Sequence, residues 1–164
     1  MDIKNLLASF NAHKVIYVVI GAGAFPIYGY DRATQDVDLC IKPTPANAKR
    51  AIAALEALGY DLMGLSLENF LTKKTLFRQY ALDTDIHPFV AGITFDRLWK
   101  NRVSYTWEGV SVFFPELDDM ILMKEAAGRP KDLEDLRYLK KIRAIRLEEA
   151  QKKSRKKSKK KIGR

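Results

Sequence analysis

The order of helix and strand patterns along the chain predicts an α+β (α/β) domain built on a mixed β-sheet. A continuous β-branched run, Val15 to Gly21, has the composition of a buried central strand. The segment Asp36 to Ile41 alternates polar and apolar residues, as a half-buried strand does. Helical patterns precede, separate and follow these strands. We therefore expect helices mainly on one face of the sheet, with further helices in the C-terminal part of the chain.

The N-terminal part of the chain begins with a helix and a glycine turn. An amphipathic helix is predicted from Asp2 to about Ala12, because its apolar residues recur at spacings of three and four: Ile3, Leu6, Leu7 and Phe10. After the first strand, Gly21 to Ala24 predicts a tight turn that opens a short helix, with Pro26 in its first turn. The segment 44–59 has Thr-Pro at its start and Gly at its end, which predicts a second helix.

The C-terminal part is expected to contain further strands, a hairpin and two helices. The stretch 61–74 is ambiguous and is expected to be a loop with a short turn of helix. The stretch 75–92 is expected to be extended, with a bend before Asp83, and 95–102 to be a short helix. The segment 103–114 predicts a hairpin with Glu108-Gly109 in the turn. A helix is predicted from Pro115 to Gly128, and another after Pro130 with one apolar face: Leu133, Leu136, Leu139 and Ile142.

The net charge of +9 is confined to the C-terminal segment. The chain holds 29 Lys and Arg and 20 Asp and Glu residues, and nine of the basic residues lie in 151–164, which has no acidic residue. Residues 1–150 therefore hold 20 basic and 20 acidic residues and carry no net charge. We accordingly predict one folded domain, 1–150, followed by a basic, disordered tail, 151–164.

Composition and cysteine content predict a globular, cytoplasmic protein. A chain of 164 residues that is 47% hydrophobic can bury a core without cross-links. Cys40 is the only cysteine, so the chain cannot form an internal disulfide, and this favours a reducing compartment. The first residues lack the long apolar run of a secretory signal. No apolar run reaches membrane-spanning length, so no membrane contact is expected.

Asp36 and Asp38 are the most informative residues of the sequence. On a strand they share one face and lie about 6.5–7 Å apart. Two such charges repel each other unless a cation lies between them, and two-metal phosphoryl-transfer sites use such carboxylates to hold ions ~3.5–4 Å apart. Mg²⁺ prefers oxygen ligands of this kind together with phosphates and water. Taken alone, two solvated acids at a strand edge are the commoner outcome of so short a pattern.

A third carboxylate is available on the later extended segment. Asp83 and Asp85 share a face with His87, and periodicity does not separate the two acids as candidates. The glycine turn at Gly21 lies one short helix before the first acidic pair, where backbone N–H groups can bind phosphate. The order of strand, glycine turn, acidic strand and second acidic segment favours a metal-dependent phosphoryl-transfer site over surface acids.

Other polar and aromatic residues have more ordinary interpretations. His87 is expected to be a structural hydrogen-bonding residue, and Cys40 a small core residue. Trp99 and Trp107 are expected to anchor packing. Three helix acids are predicted to lie on the surface: Asp119, Glu125 and Asp135.

Two segments of the chain resemble a known superfamily. "YVVIGAGAFPIYGYDRATQDVDLCI" resembles the signature of the DNA-polymerase-β-like nucleotidyltransferases, which is an apolar strand, Gly-Gly or Gly-Ser, a short helix and Asp-x-Asp on the next strand. Its Arg-x-Thr-x-Asp-x-Asp form is similar to small prokaryotic members, the minimal and abortive-infection-toxin-like nucleotidyltransferases. "FFPELDDMILMKEAAGRPKDLEDLRYL" resembles the downstream segment of the same group. The resemblance covers Ile16 to Leu139 and implies the nucleotidyltransferase fold, since two motifs in the right order are more specific than one.

The resemblance implies roles for the matching residues. Asp36, Asp38 and Asp85 would be the catalytic carboxylates and the ligands of two Mg²⁺ or Mn²⁺ ions. Asp85 is favoured because the family's third acid precedes an apolar residue in its strand, and there it would also help to deprotonate the acceptor. Ala22 stands where the family has a second Gly or Ser, so a hydroxyl is lost but a backbone donor remains. The nucleotide-binding residues implied are Gly21, Ala22, Arg32, Thr34, Lys124, Arg129, Lys131 and Asp132.

The predicted reaction is the transfer of a nucleoside monophosphate from an NTP to a hydroxyl acceptor, with release of pyrophosphate. The acceptor can be RNA, a protein side chain or a small molecule, and the basic tail favours RNA. An alternative is a catalytically weak nucleotide-binding or toxin–antitoxin regulatory module of the same fold, with an antitoxin-type protein partner; only Ala22 supports it. A metal phosphoesterase is a third, weaker alternative, because the additional histidine ligands of such sites are lacking.

Overall fold

The computed structural model describes residues 2–30 and 32–162, with side chains described as far as Arg155. The helices are α1 (Ile3–Ala12), α2 (Pro45–Glu56), α3 (Leu67–Thr72), α4 (Phe95–Asn101), α5 (Leu117–Ala127) and α6 (Pro130–Ile162). The strands are β1 (Tyr17–Ile20), β2 (Asp36–Ile41), β3 (Thr75–Phe77), β4 (Asp83–His87), β5 (Val103–Trp107) and β6 (Val110–Phe114). Two short 3₁₀ helices, Gly21–Ala24 and Pro26–Tyr28, follow β1.

The predicted mixed sheet is confirmed. Four strands lie in the order β1-β2-β4-β3, and only the central pair, β2 and β4, is parallel. The crossover from β2 to β4 includes α2 and α3, as a parallel connection requires. β2 and β4 pair in register, with Asp36 beside Asp83 and Asp38 beside Asp85. The carboxylates of the two acidic segments are thus brought to neighbouring positions on adjacent central strands.

The two faces of the sheet are covered unequally, as the sequence predicts. Alternate residues of β1 and β2, such as Val19 and Leu39, point into the main core, where α1, α2, α5 and α6 contribute buried apolar side chains. The opposite face carries a small second cluster in which Val18, Ile20 and Cys40 pack against α4. Among the described helices, only α4 adds buried residues to this cluster. The part of this face that bears the β2 carboxylates lines a cavity.

Two regions that the sequence left ambiguous have definite structures. The stretch 61–74 contains α3, which Ser66 and Asn69 begin as a reciprocal capping box. The extended stretch 75–92 is not one strand, because β3 and β4 are separated by the turn at 78–82 and form an antiparallel pair. The predicted hairpin at Glu108-Gly109 is present, and both turn residues have positive φ, which is the conformation a two-residue hairpin turn of this hand needs.

Helix α6 differs from the expectation for the C-terminal segment. The sequence predicted a disordered tail from residue 151, whereas the described backbone remains helical to Ile162. Lys, Arg and Gln are good helix formers, and no Pro or Gly interrupts the chain between Pro130 and Gly163. The division of the chain at residue 150 into a domain and a tail stays a prediction, and Gly163 and Arg164 lie outside the described residues. Leu133, placed on the apolar face, is 55% exposed, while Leu136 and Leu139 are buried.

Among the described residues, no helix has both the length and the apolar character that are needed to span a bilayer.

Candidate active site

Asp38 lies at the centre of a group of polar side chains on the open face of the sheet. Its carboxylate packs directly on the glycine turn, because an ideal Cβ built on Gly21 would lie only 2.3 Å from Asp38 Oδ2. Gly21 also has a φ of +67°, which residues with a side chain rarely adopt. His87, two residues after Asp85, donates a hydrogen bond through Nε2 to Asp38 Oδ1 at 2.7 Å. A residue larger than glycine at position 21 would displace this carboxylate.

Asp85 is buried beside Asp38 and is surrounded by positive charge. Arg78 Nη1 donates to Asp85 Oδ1 at 2.7 Å, and Lys74 Nζ lies 2.5 Å from Asp85 Oδ2. Lys74 Nζ also lies 3.9 Å from Asp38 Oδ1, so it spans the two carboxylates. Burial would raise the pKa of Asp85, but hydrogen bonds from Arg78 and Lys74 outweigh burial and hold the pKa below its usual value. Asp85 is therefore ionised at neutral pH.

Asp83, the alternative third carboxylate, lies on the same strand but in a different environment. Its side chain is 36% exposed, compared with 1% for Asp85, and it forms an ion pair with Arg78 Nε at 3.1 Å. Its neighbour across the parallel pair is Asp36, not Asp38. Arg78 thus bridges the two candidate acids, and Asp85 is the one that lies beside Asp38 and His87.

Asp36 is positioned by the loop that precedes β2. Thr34 Oγ1 donates to Asp36 Oδ1 at 2.5 Å and lies 3.2 Å from the backbone carbonyl of the same residue. Thr34 does not line the cavity that contains Asp36 and Asp38; it borders a separate depression with Asp83. Thr34 therefore affects the site by orienting Asp36.

A cavity of about 420 Å³ lies in front of these carboxylates. One wall is acidic, formed by Asp36 and Asp38 with Lys74 and His87 beside them. The rest of the lining, here called the basic wall, is basic and apolar. It comes from the residues between β1 and β2, the segment after β4, α5 and the start of α6. The residues that contribute to the basic wall include Phe25, Arg32, Phe89, Met120, Met123, Lys124, Arg129 and Lys131.

The basic wall is held by two buried aspartates. Lys124 Nζ lies 2.8 Å from both Asp132 Oδ1 and Asp135 Oδ2, and Arg129 Nε donates to Asp132 Oδ2 at 2.6 Å. Arg32 Nη1 reaches the same Asp135 at 3.1 Å. Burial would raise the pKa of Asp132, but hydrogen bonds from Arg129 and Lys124 reverse the effect, and its pKa lies far below the usual value of 3.8. These five residues carry a net charge of +1, so the wall still attracts an anion.

Two of the three acids expected on the helix surface are in fact buried. Asp119 and Asp135 are each 1% exposed, whereas Glu125 is exposed as predicted. Asp119 accepts hydrogen bonds from Arg97 and Asn101 of α4 and so joins α4 to α5. The prediction failed because helical periodicity places a residue on a face of its helix but does not show which faces a neighbouring helix covers. Charged partners on that neighbour compensate the cost of burial.

The structure brings most of the predicted site residues together. Eight of them line the cavity: Gly21, Ala22, Arg32, Asp36, Asp38, Lys124, Arg129 and Lys131. Three do not: Asp85 is buried behind Lys74, Asp132 lies beneath Lys124 and Arg129, and Thr34 is on the far side of Asp36. Cys40 and the two tryptophans pack against core residues, as expected, and burial raises the pKa of Cys40 to about 12.

Sequence reasoning missed the cationic partners of Asp85 and one ligand candidate. Lys74 and Arg78 were not singled out, although they flank β3 at even spacing and so share the face of Leu76. His87 was expected to have a structural role, but it lies in a group with Asp38 and Asp85 whose ligand atoms are all within 4.8 Å of one another.

The donor chemistry of this group fits a divalent cation. Two carboxylates and an imidazole converge, and an ammonium already lies between the carboxylates at the position where positive charge is needed. Carboxylate oxygens are the ligands that Mg²⁺ prefers, and Mn²⁺ also accepts imidazole nitrogen. Asp36, Asp38, Asp85 and His87 are the side chains available to hold such an ion.

Comparison with solved structures shows which fold this is. The chain is similar to a lincosamide antibiotic adenylyltransferase, LnuA, in its lincomycin-bound form, with a TM-score of 0.56, 16% identity and coverage of 87% of this chain and 98% of that one. It is similar to a putative nucleotidyltransferase from Thermotoga maritima, with a TM-score of 0.60, 15% identity and coverage of 82% and 88%. For the antibiotic-resistance factor ANT(2'')-Ia the TM-score is 0.57, the identity 15% and the coverage 93% and 91%.

These likenesses establish the nucleotidyltransferase fold, and the sequence itself gives the family. No match to the chain was found among curated protein sequences. A family model described as a nucleotidyltransferase of unknown function (DUF6036) matches residues 1–161. The chain therefore belongs to this nucleotidyltransferase family.

Proposed function

We propose that the chain transfers a nucleoside monophosphate from an NTP to a hydroxyl acceptor in a reaction that depends on Mg²⁺ or Mn²⁺. The observation that carries the proposal is the register of β2 and β4, which sets Asp38 beside Asp85 on one face of a parallel pair. The cavity that Asp38 lines is also lined by Arg32, Lys124 and Arg129. Carboxylates and cations around one cavity suit a substrate that is itself anionic and arrives with divalent cations.

In this proposal the triphosphate lies between the glycine turn and the basic wall. The acceptor oxygen forms a bond to the α-phosphorus, the bond from that phosphorus to the bridging oxygen of pyrophosphate breaks, and the hydroxyl proton leaves the acceptor. Bound divalent ions supply positive charge that offsets the charge of the phosphates and of the attacking oxygen. Arg32, Lys124 and Arg129 position the phosphates, and their own positions are fixed by Asp132 and Asp135.

The three carboxylates have different roles in the proposed reaction. Because its pKa is depressed, Asp85 is a poor resting proton acceptor, and its ionised form suits a role in holding positive charge. Asp38 is oriented by Gly21 and His87, and Asp36 by Thr34, so both are held in place before substrate arrives. The hydrogen bond from His87 holds Asp38 in the orientation in which it faces the cavity.

The acceptor class and partners are proposed from chemistry alone. One of the similar structures is of a lincosamide antibiotic adenylyltransferase and another is of an antibiotic-resistance factor, which favours a small hydroxyl compound. The basic segment 151–164 favours RNA. We place the reaction in the cytoplasm, where NTPs are abundant and the free thiol of buried Cys40 is stable. An antitoxin-type partner belongs to the alternative function, a nucleotide-binding module without turnover.

Transfer of label from each of the four NTPs tests the proposal. The protein is incubated with Mg²⁺ and either α- or γ-labelled NTP, in the presence of total RNA, cell lysate or a set of small hydroxyl compounds. The expected result is that α-label appears on an acceptor and γ-label appears in pyrophosphate. Asp38→Asn should reduce transfer at least about 100-fold. Asp96→Asn, on a side chain that is 86% exposed in α4, is the matched control and should transfer normally.

Each alternative gives a different result in the same assay. A phosphoesterase would release γ-label as inorganic phosphate without an acceptor. A nucleotide-binding module would bind NTP and metal but leave every α-label in NTP. Either result would overturn the proposed transfer reaction.

A further inference from the structure

Lys74 lines the cavity beside the candidate catalytic carboxylates but has no part in the reaction proposed above. It lies between the end of α3 and the start of β3, and its side chain is 44% exposed at the cavity. Its Nζ lies 2.5 Å from Asp85 Oδ2 and 3.9 Å from Asp38 Oδ1. We propose that Lys74 is a tethered counter-ion, which neutralises the Asp38–Asp85 pair when no divalent ion is bound and withdraws when one binds. The inference deepens the proposed function and rests on its metal site.

The position of the ammonium supports competition with a metal ion. The ligand atoms of Asp38, Asp85 and His87 lie within 4.8 Å of one another, and Lys74 contacts two of these three residues. A divalent ion that bridged the carboxylates would therefore meet a positive charge at close range. At such separations the repulsion is large in a partly buried site.

The other cation on Asp85 differs from Lys74 in its geometry. Arg78 binds the opposite carboxylate oxygen, Oδ1, and is tied at the same time to Asp83, away from Asp38. Arg78 can therefore remain in place when a metal ion occupies the space between Asp38 and Asp85. It continues to offset the cost of burying Asp85, whereas Lys74 occupies the bridging position itself.

Lys74 also has the freedom to leave. Both of its ion pairs in the described part of the chain are with these two carboxylates. A lysine side chain has four rotatable carbon–carbon bonds and reaches water easily from a residue that is nearly half exposed. Exchange of Lys74 for a divalent ion is thus a local side-chain movement.

Binding of Mn²⁺ alone to the full chain, without nucleotide, tests the inference. Titration followed by electron paramagnetic resonance gives the affinity for the wild type and for Lys74→Gln, which has a slightly shorter side chain that still donates hydrogen bonds but carries no charge. We expect Lys74→Gln to bind Mn²⁺ about tenfold more tightly or better. Lys74→Arg, which keeps the charge, should bind no more tightly than the wild type. Lys73→Gln, on the exposed neighbouring lysine, removes the same charge outside the site and should leave the affinity within about twofold.

A second measurement uses the unmodified protein and so avoids any effect of the substitution on folding. Acetylation by a limiting amount of reagent, read by mass spectrometry, gives the reactivity of Lys74 relative to Lys73. Mn²⁺ should raise this ratio several-fold, because the displaced amine enters solvent. An unchanged ratio at saturating Mn²⁺, or a Lys74→Gln variant that binds Mn²⁺ no better than the wild type, would overturn the inference.

The outcome is separable from that of the proposed function. If the wild type transfers α-label while Lys74→Gln shows no gain in Mn²⁺ affinity, the counter-ion role is wrong and the transfer reaction stands. If Lys74→Gln gains affinity while no NTP yields a labelled acceptor, Lys74 competes with the cation but the proposed reaction is wrong.

Discussion

Replacement of Gly21 by alanine should have two effects that can be measured separately: displacement of the Asp38 carboxylate, which lowers activity, and backbone strain, which lowers stability. The added Cβ would lie 2.3 Å from Asp38 Oδ2, so the carboxylate has to retreat by roughly 1 Å to restore ordinary van der Waals contact. A displacement of this size in an active site costs about 100-fold in rate. Because φ is positive at this residue, the alanine should also lower the free energy of unfolding by about 1–2 kcal/mol.

Two other glycines provide matched controls for the Gly21→Ala substitution. Gly29 has a φ of +77° and nothing within 4 Å of its added Cβ, so Gly29→Ala should lose stability but keep activity. Gly23 has no positive φ, and its added Cβ would meet only Val19 Cγ1 at an ordinary 3.5 Å. Gly23→Ala should therefore retain both stability and activity.

The assay for this series combines label transfer from NTP with chemical denaturation of each variant. Only Gly21→Ala should lose transfer out of proportion to its loss of stability. Its Mn²⁺ affinity should fall as well, because the displaced residue, Asp38, is a proposed ligand of the ion. Transfer within about twofold of the wild type would refute the reasoning. Equal losses of transfer in Gly21→Ala and Gly29→Ala would assign the effect to strain in the turn.

Three further predictions concern the acids and the tail. Asp85→Ala should abolish transfer while NTP binding persists, and Asp83→Ala should remain active; the reverse result would move the third carboxylate to Asp83. Asp132→Asn should lower the free energy of unfolding at pH 7 by about 3 kcal/mol, because Lys124 loses a buried partner. Since the folded-state pKa of Asp132 is depressed, its contribution is complete above pH ~4 and is lost as the pH falls further, so the stabilities of variant and wild type should converge in acid-denaturation curves. Deletion of 151–164 should leave the fold and NTP binding unchanged. If RNA is the acceptor, the deletion should also flatten the plot of the logarithm of the RNA-binding constant against the logarithm of the salt concentration, by about 0.7–0.9 in slope for each lost phosphate contact. Equal slopes for the two proteins would direct the search for an acceptor to proteins or small molecules.

Much of the fold follows from local patterns in the sequence. The β-branched run, the alternating acidic strand, the capped helices and the Glu-Gly hairpin are each specified by residues close together in the chain, and the structure confirms them. The resemblance to a known superfamily further identified two separate motifs and showed that they follow each other in the expected order. The structure then places Gly21, Asp38 and Lys124 around one cavity.

The features that the sequence did not predict depend on pairings between distant segments. Lys74 and Arg78 share a face of β3, but only the pairing of β3 with β4 brings that face to Asp85. Periodicity likewise cannot show that α4 covers Asp119 or that Arg32 reaches Asp135. The helical state of the C-terminal segment was missed because composition was given more weight than the helix propensity of lysine and arginine.

The contacts between the loop before β2 and helix α6 have a consequence for the dynamics of the protein. Tyr30 stacks on Tyr138 with ring centroids 4.6 Å apart, and Arg32 is bound to Asp135. If a nucleotide binds at Arg32 and Lys124 as proposed, it would stabilise these contacts by mass action, because it would bind the folded arrangement and not the locally opened one. Amide hydrogen exchange in the first turns of α6 should therefore slow as NTP saturates, while exchange beyond residue 150 stays constant. Hydrogen exchange in the first turns of α6 would therefore measure whether the cavity is occupied, although these turns lie on a different element from the carboxylates.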